Sequence, residues 1–310
     1  MDILLIVFLA LAIDLALGEP PRAVHPVVWM GKVASLLEKG NIGQSSVARF
    51  WYGSGMVLVT MGVFAVPTYF VLLYLKSLSL TAYVIIGAVL LKATFSLREL
   101  RRAAVEVKKL LLEDKLKEAR SELRSLVSRD TCGLPKPLLV SATVESVAEN
   151  TSDSFIAPLF YFLLLGVPGA IAYRVVNTLD AMVGYHGKYE HLGKLTGRLD
   201  DILNFIPARL TALLLVLATF LSRRDGRSSW RIALTEHAKT ESPNAGWPMA
   251  AVAGALNVQL EKVGHYRLGK LNTPLVPETI DASLELMQIA TLVWVLICFT
   301  VGGIYFVLTA

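Results

Sequence analysis

Cysteine is almost missing from this chain. Its two thiols, Cys132 and Cys298, lie far apart, one near a polar loop and one inside an apolar run, which excludes a disulfide framework and a cysteine-built zinc site. The five histidines never fall into His-Glu-x-x-His spacing, so no zinc-hydrolase centre is expected, and no Gly-x-Ser-x-Gly elbow presents a serine nucleophile. A standard phosphate-binding loop is absent as well. The nearest stretch, Gly187 to Gly193-Lys194, is one residue too long, and Leu195 stands where a Ser or Thr would touch Mg²⁺. Charge is scarce, at 18% of residues against 54% hydrophobic, which excludes an ordinary soluble domain.

What fills the chain is apolar runs. Residues 3 to 17 are apolar apart from Asp14, with no basic residue ahead of them and no small-residue cleavage pattern before Gly18, so a retained first helix is expected rather than a signal peptide. Pro20 and Pro21 end it, since consecutive prolines remove donors and fix φ. His25-Pro26 and an amphipathic piece from Val27 to Leu37 follow. Further apolar spans run over 55–75, 79–95, 155–173, 203–222 and 286–309, each near the roughly 20 residues needed to cross a bilayer. Between 97 and 127, Leu97, Leu100, Ala104, Val107, Leu110 and Leu111, then Leu116, Ala119, Leu123 and Leu126, keep helical spacing among many charges. That pattern predicts an amphipathic helical pair bent near Glu113-Asp114.

The fold class expected is all-α: a polytopic helical membrane protein with about five to six membrane helices and a cytoplasmic amphipathic helical hairpin over 96–130. One span is expected to be broken or re-entrant at Gly166-Val-Pro168-Gly169, which is tolerated where freed backbone groups are buried or line a wet cavity. The whole chain, 1–310, reads as a single membrane-embedded domain. Within it lie a motif-rich core over 141–210, loop and short helices over 223–285, and a C-terminal membrane helix over 286–309. The net charge of +5 comes from Lys and Arg clustered in loops, the pattern of cytoplasmic faces. The basicity is therefore topological, and no nucleic-acid partner is expected. The side on which 174–202 lies is left open by this pattern.

Polar groups concentrate where they are costly. In a helix over 142–153, Glu145, Glu149 and Asp153 fall at i, i+4 and i+8, with Ser146 and Asn150 beside them. Like charges so placed repel unless a cation neutralises them, and hard oxygen ligands suit Mg²⁺ held together with phosphates. The alternative is that Asp153 or Ser154 caps a helix starting at Phe155. Asn177 and Asp180 are i, i+3 neighbours ahead of a turn containing Tyr185 and Lys188, either an ordinary helix end or a place to hold phosphate. Asp200 and Asn204 share a face, with Asp201 beside them, at the mouth of the 203–222 span. Arg209 sits inside that span and needs a carboxylate or phosphate, so it pairs with Asp200 or Asp201 or it holds a ligand. Downstream, Asn244 and Trp247 in Ser242-Pro-Asn-Ala-Gly-Trp247 offer an amide and an aromatic platform, or a rigid interfacial turn.

Asp14 with Gly18-Glu-Pro-Pro-Arg22, His25-Pro26, Ser128-Arg129-Asp130-Thr131, Glu145-Ser-x-x-Glu-Asn-Thr-Ser-Asp153, Asn177-Thr-Leu-Asp180, Asp200-Asp201-x-x-Asn-x-Ile-Pro-Ala-Arg209 and the Ser242–Trp247 run together resemble the adenosylcobinamide-phosphate synthase family of cobalamin biosynthesis. The resemblance runs from Asp14 to about Tyr266, with Glu19 standing where the pattern has Asp. It implies a multi-pass cell-membrane ligase that joins adenosylcobyric acid to (R)-1-aminopropan-2-ol phosphate or a related amino alcohol. ATP is consumed and Mg²⁺ is expected. The implied partners are the corrinoid substrate, the amino alcohol phosphate and the lipid bilayer, with other cobalamin-biosynthesis enzymes and a second copy of the chain as candidates.

Chemistry then suggests roles. Glu149, Asn150, Asp153, Asp200 and Asp201 are expected to hold Mg²⁺, and Arg129 and Arg209 to bind phosphate through bidentate contacts. Asp180 or Glu145 would take the proton of the attacking amine, with Asp201 also catalytic. His25, Asp130, Asn177, Tyr185, Lys188, Asn244 and Trp247 are the remaining substrate-side candidates, and the active site is expected to face the cytoplasm. The competing expectation is a non-catalytic transporter or corrinoid-binding scaffold whose intramembrane carboxylates carry ions.

Overall fold

A computed structural model describes residues 2–40, 45–184 and 189–309. Tyr185 and Lys188 lie outside the described residues. The chain folds into two compact units, one made of Met1–Ser96, Ala157–Leu203 and Cys298–Ala310, the other of Leu97–Ile156 and Asn204–Ile297. Hydropathy alone treats 1–310 as one domain, because the apolar runs carry no mark of which of them pack together.

In the first unit, α1 (Asp2–Leu17) packs on α4 (Leu80–Lys92), while α2 (Pro26–Glu38) and α3 (Ser46–Leu78) pack on α8 (Ala157–Val183). Small residues allow the α1–α4 approach. A Cβ at Gly87 would lie 3.0 Å from Ile6 Cδ1, the close packing that lipid-embedded helices use in place of a water-driven hydrophobic effect. The α3 side chains Leu58, Phe70, Leu73 and Tyr74 are exposed, as expected of a helix facing acyl chains. Ser45 Oγ caps α3 at Ala48 N, and Ser79 Oγ caps α4 at Ala82 N, each satisfying an orphan amide of the first turn. Within α8, Gly166 adopts φ 68° and breaks the helix. Pro168, two residues on, supplies no N–H and crowds the preceding turn. The expected broken segment is thus present, with the stacked Tyr161 and Tyr173 rings, 5.2 Å apart, on either side of it.

In the second unit, α5 (Leu97–Leu112) and α6 (Leu116–Leu123) form the amphipathic pair, burying Leu100, Ala104, Val107, Leu111, Ala119 and Leu123. The bend is where the sequence places it, with Asp114 at φ 54°. Their neighbour α7 (Lys136–Thr151) is buried continuously from Leu139 to Ala148, and so forms the centre of this unit. Against it pack α11 (Gly246–Leu256) and the β1 strand (Gln259–Lys262) of an antiparallel hairpin with β2 (Tyr266–Gly269), while α10 (Gly226–Glu236) packs on α11. The hairpin was not expected, its alternating stretch being too short to read.

Two other expectations change. No new helix begins at Phe155, so Asp153 and Ser154 are not caps: the chain stays helical through a π turn, Ser152–Ile156, directly after α7. Likewise α9 (Lys194–Leu221) starts nine residues before 203, so Asp200 and Asp201 sit within its early turns rather than at its mouth. Among the described residues five helical stretches are long and apolar enough to cross a membrane: Ser46–Leu78, Leu80–Leu112, Lys136–Val183, Lys194–Leu221 and Glu278–Leu308. The last is the apolar part of α12 (Glu278–Thr309).

Candidate active site

The buried carboxylate of Glu145 is the hub of the second unit. Ser141 Oγ donates to Oε1 at 2.6 Å and Tyr266 OH donates to Oε2 at 2.8 Å. Arg129 Nη2 lies 3.1 Å from Oε2. Ser141 Oγ in turn accepts from Glu261 N at 2.8 Å, so one acid ties α7 to the hairpin and to the loop carrying Arg129. Burial and the Glu145 charge both push the Tyr266 phenol well above its ordinary range, which keeps its proton available to donate. Arg129 therefore enters the site already paired. Asp130 is exposed and accepts from Cys132 N at 2.9 Å, the geometry of an Asx turn. A cavity of about 220 Å³ is lined by Arg129, Asp130, Glu261, Lys262 and His265 among others.

The rest of the acidic motif follows along the same helix. Asn150 Nδ2 donates to Ser146 O and Oγ at 3.0 and 3.1 Å, and its Oδ1 accepts from Ser154 Oγ at 3.0 Å. These side-chain bonds compete with the regular ladder and span the π turn. Glu149 and Asp153 are half-buried at the two ends of this segment.

In the first unit a second acidic set stands where α8 meets α9. Asn177 accepts from Arg174 Nη1 at 3.2 Å and donates to Asp200 Oδ1 at 3.4 Å. Asp180, Asp200 and Asp201 are all half-buried. Glycine clears the space around Asp180: a Cβ at Gly184 would come within 2.0 Å of Asp180 Oδ1, and one at Gly197 within 3.4 Å.

The same unit holds a buried ion network that sequence reasoning missed. Lys92, 3% exposed, lies 3.1 Å from Asp14 Oδ1 and 2.8 Å from Glu19 Oε1, and donates to Phe95 O at 3.1 Å. His25 Nε2 donates to Glu19 Oε2 at 2.7 Å while its Nδ1 accepts from Val27 N at 3.1 Å, capping α2. Burial raises the Glu19 pKa, but hydrogen bonds from His25, Lys92 and Ser96 outweigh it and hold the carboxyl at about 2. Both ring nitrogens of His25 are thus engaged inside the fold. The signal for Lys92 lies in the sequence: a lysine inside the 79–95 apolar run is costly unless paired.

A third group gathers around Arg209. Its Nη1 donates to Phe205 O at 2.6 Å and to Asn244 Oδ1 at 3.3 Å. The guanidinium carbon lies 3.6 Å from the Phe205 ring centroid and 5.1 Å from that of Trp247. His237 stacks on Trp247 with centroids 3.8 Å apart. Arg209, Asn244 and Trp247, singled out separately in the sequence, share one place, and His237 joins them unannounced. Among the described residues Arg209 makes no ion pair.

Metal chemistry was tested on the donor sets. Among the described residues no three His, Cys, Asp or Glu side chains converge as a metal cage. Mg²⁺ bound with a nucleotide needs less, one or two carboxylates with phosphate oxygens and water completing the shell. Half-buried carboxylates such as Glu149, Asp153, Asp200 and Asp201 fit that demand.

The CobD/Cbib protein family model matches residues 7–303. Cobalamin biosynthesis protein CobD of Dehalococcoides mccartyi is 55% identical over 306 residues, covering 99% of both chains. The probable cobalamin biosynthesis protein CobD of Methanothermobacter thermautotrophicus is 43% identical over 304 residues, covering 98% of both. Cobalamin biosynthesis protein CobD of Geobacter metallireducens is 41% identical over 256 residues, covering 82% of this chain and 80% of its own. No solved structure matches.

Proposed function

The chain belongs to the CobD/Cbib protein family of cobalamin biosynthesis, and from that premise we propose that it is an ATP-dependent amide ligase. It joins the propionate carboxylate of adenosylcobyric acid to the amine of (R)-1-aminopropan-2-ol phosphate, or a close amino alcohol, giving adenosylcobinamide phosphate. It works in the cell membrane, from the cytoplasmic side where ATP is available. The observation that carries this reading is the π turn at Ser152–Ile156, which overlaps the end of the Glu145–Asp153 motif. Such turns are frequent at functional sites, and this one carries Asp153 and begins three residues after Glu149, both half-buried.

An unactivated carboxylate does not acylate an amine at neutral pH. The substrate carboxylate oxygen therefore attacks the γ-phosphorus of ATP, the bond to ADP breaks, and an acyl phosphate forms. The amine nitrogen then attacks the acyl carbon, the carbon–oxygen bond to phosphate breaks, and the amine proton passes to a base. Glu149 with Asp153, and Asp200 with Asp201, are the carboxylate pairs that would hold Mg²⁺, which would supply the positive charge that phosphoryl transfer requires.

Of the two candidate bases, Asp180 suits the proton better. Glu145 already accepts from Ser141, Tyr266 and Arg129, so its task is to hold Arg129 in place toward phosphate. A second reading, transporter or corrinoid scaffold, draws on the buried Lys92–Asp14–Glu19 network. Purified protein given adenosylcobyric acid, the amino alcohol phosphate, ATP and Mg²⁺ separates the two. Amide with equimolar ADP supports the ligase, and corrinoid binding without product supports the scaffold.

A further inference from the structure

Three features meet at Arg209 that the fold by itself does not satisfy. Arg209 is half-buried in an apolar helix and among the described residues has no carboxylate to neutralise it. Among the described residues only its Nη1 is used, by the Phe205 carbonyl and Asn244 Oδ1. Second, the indole Nε1 of Trp247 is buried and has no hydrogen-bond partner among the described residues, a rare condition for a strong donor. Third, His237 lies face to face with the same indole. Its Nδ1 is 2.9 Å from Ala233 O, and a carbonyl can only accept, so Nδ1 carries the proton and Nε2 is left without a partner among the described residues.

The pocket is built, not casual. Ser242 Oγ accepts from Asn244 N at 3.2 Å and Ala245 N at 3.4 Å, fixing the turn that delivers Asn244 and Trp247. Gly246 allows that turn to close against the end of α10, since a Cβ there would come 2.0 Å from His237 O. Cation, orphan indole N–H and imidazole are therefore held on rigid elements around Trp247.

We infer that Arg209, Trp247 and His237 form a pocket for a terminal phosphomonoester. A planar carboxylate offers two oxygens, whereas a phosphomonoester offers three around a tetrahedral centre, enough for both a guanidinium and an indole N–H to donate to separate oxygens. The inference rests on the ligase reading for the identity of the ligand, because that reaction uses two molecules that end in a phosphate with three outer oxygens: the amino alcohol phosphate, a phosphomonoester, and ATP, whose terminal phosphate is anhydride-linked. Arg209 would neutralise the dianion, Trp247 would hold one oxygen, and His237 would keep the indole plane in register. The pocket then selects a phosphorylated molecule over its dephosphorylated counterpart.

The test uses full-length protein in lipid nanodiscs with Arg209→Lys, which keeps the charge but not the fork, and Trp247→Phe, which keeps a ring but not the N–H. KM is measured for 1-aminopropan-2-ol phosphate, for unphosphorylated 1-aminopropan-2-ol and for ATP, and inorganic phosphate binding is read by isothermal titration calorimetry. Losing one charge-assisted hydrogen bond should raise KM for the bound molecule about tenfold, with kcat little moved. If KM rises for the phosphorylated amine and not for the free amine, the pocket holds the amine substrate. If it rises for ATP alone, the pocket holds the nucleotide. His237→Gln should weaken phosphate binding less than Trp247→Phe. If both main variants keep wild-type KM values and wild-type phosphate affinity, the pocket is overturned. If wild type forms no amide yet binds phosphate in an Arg209-dependent way, the pocket stands and the ligase reading falls.

Discussion

Replacing Glu145 by Gln should cost stability before it costs chemistry. The carboxylate is 5% and the Arg129 side chain 17% exposed, so the pair sits almost wholly out of water. Removing one partner of a buried ion pair costs about 3–5 kcal/mol, because the other charge stays behind uncompensated. The residual water contact of Arg129 puts the expected loss at the lower end, about 3 kcal/mol. A glutamine offers one acceptor oxygen where Ser141, Tyr266 and Arg129 now share two, and its amide group turns a donor toward one of them. Arg129→Gln should cost a similar amount, and the double variant should recover about 2 kcal/mol of the summed loss, the coupling expected of residues in contact. Equilibrium unfolding of the purified protein in mixed micelles, titrated with a denaturing detergent, measures all three. A Glu145→Gln protein as stable as wild type but without turnover would refute this reasoning and return Glu145 to the role of proton acceptor.

Acid should expose the Glu19 network. A carboxyl held at about 2 against an ordinary 4.5 contributes stability that is present above the ordinary value and is lost as pH falls toward 2. Unfolding midpoints measured from pH 5 to pH 2 should fall more steeply for wild type than for Glu19→Gln, whose curve should be flatter. Gly184→Ala should reduce kcat sharply, since the methyl would meet Asp180 Oδ1 at 2.0 Å, whereas Gly197→Ala, at 3.4 Å, should be mild; steady-state assays of both compare them. Chelation by EDTA should stop turnover and leave the melting temperature within about 2 °C, because a nucleotide-borne ion is not part of the fold. Asp201→Asn should abolish turnover with the unfolding curve unchanged.

The membrane helices are legible because a helix that meets lipid must be apolar over its length: the runs at 55–75 and 286–309 fall inside α3 and α12, and the run at 79–95 covers α4. The bend at Asp114 and the break at Gly166 are legible for a related reason: polar and Gly-Pro residues interrupt a period that would otherwise continue. What escapes is polarity absorbed into helices. The apolar span is read from 203, yet α9 starts at Lys194, since its charged early turns need not lie in hydrocarbon. The π turn depends on Asn150 and Ser154 bonding each other rather than the ladder, a competition that spacing alone does not reveal. Lys92 vanishes into an apolar run because hydropathy averages it away. The site was readable as residue types, carboxylates and arginines where they are expensive, while its pairings were not: Arg129 with Glu145, and Arg209 with two rings and an amide, join residues far apart in the chain.

The central claim is transfer of a phosphoryl group to the corrinoid carboxylate, and isotope transfer reads it directly. Adenosylcobyric acid labelled with ¹⁸O in the reacting carboxylate is turned over with ATP and the amino alcohol phosphate, and the released inorganic phosphate is weighed by mass spectrometry. An acyl phosphate route leaves one labelled oxygen in each phosphate and ADP as the nucleotide product. Unlabelled phosphate, or label appearing in AMP, would contradict it.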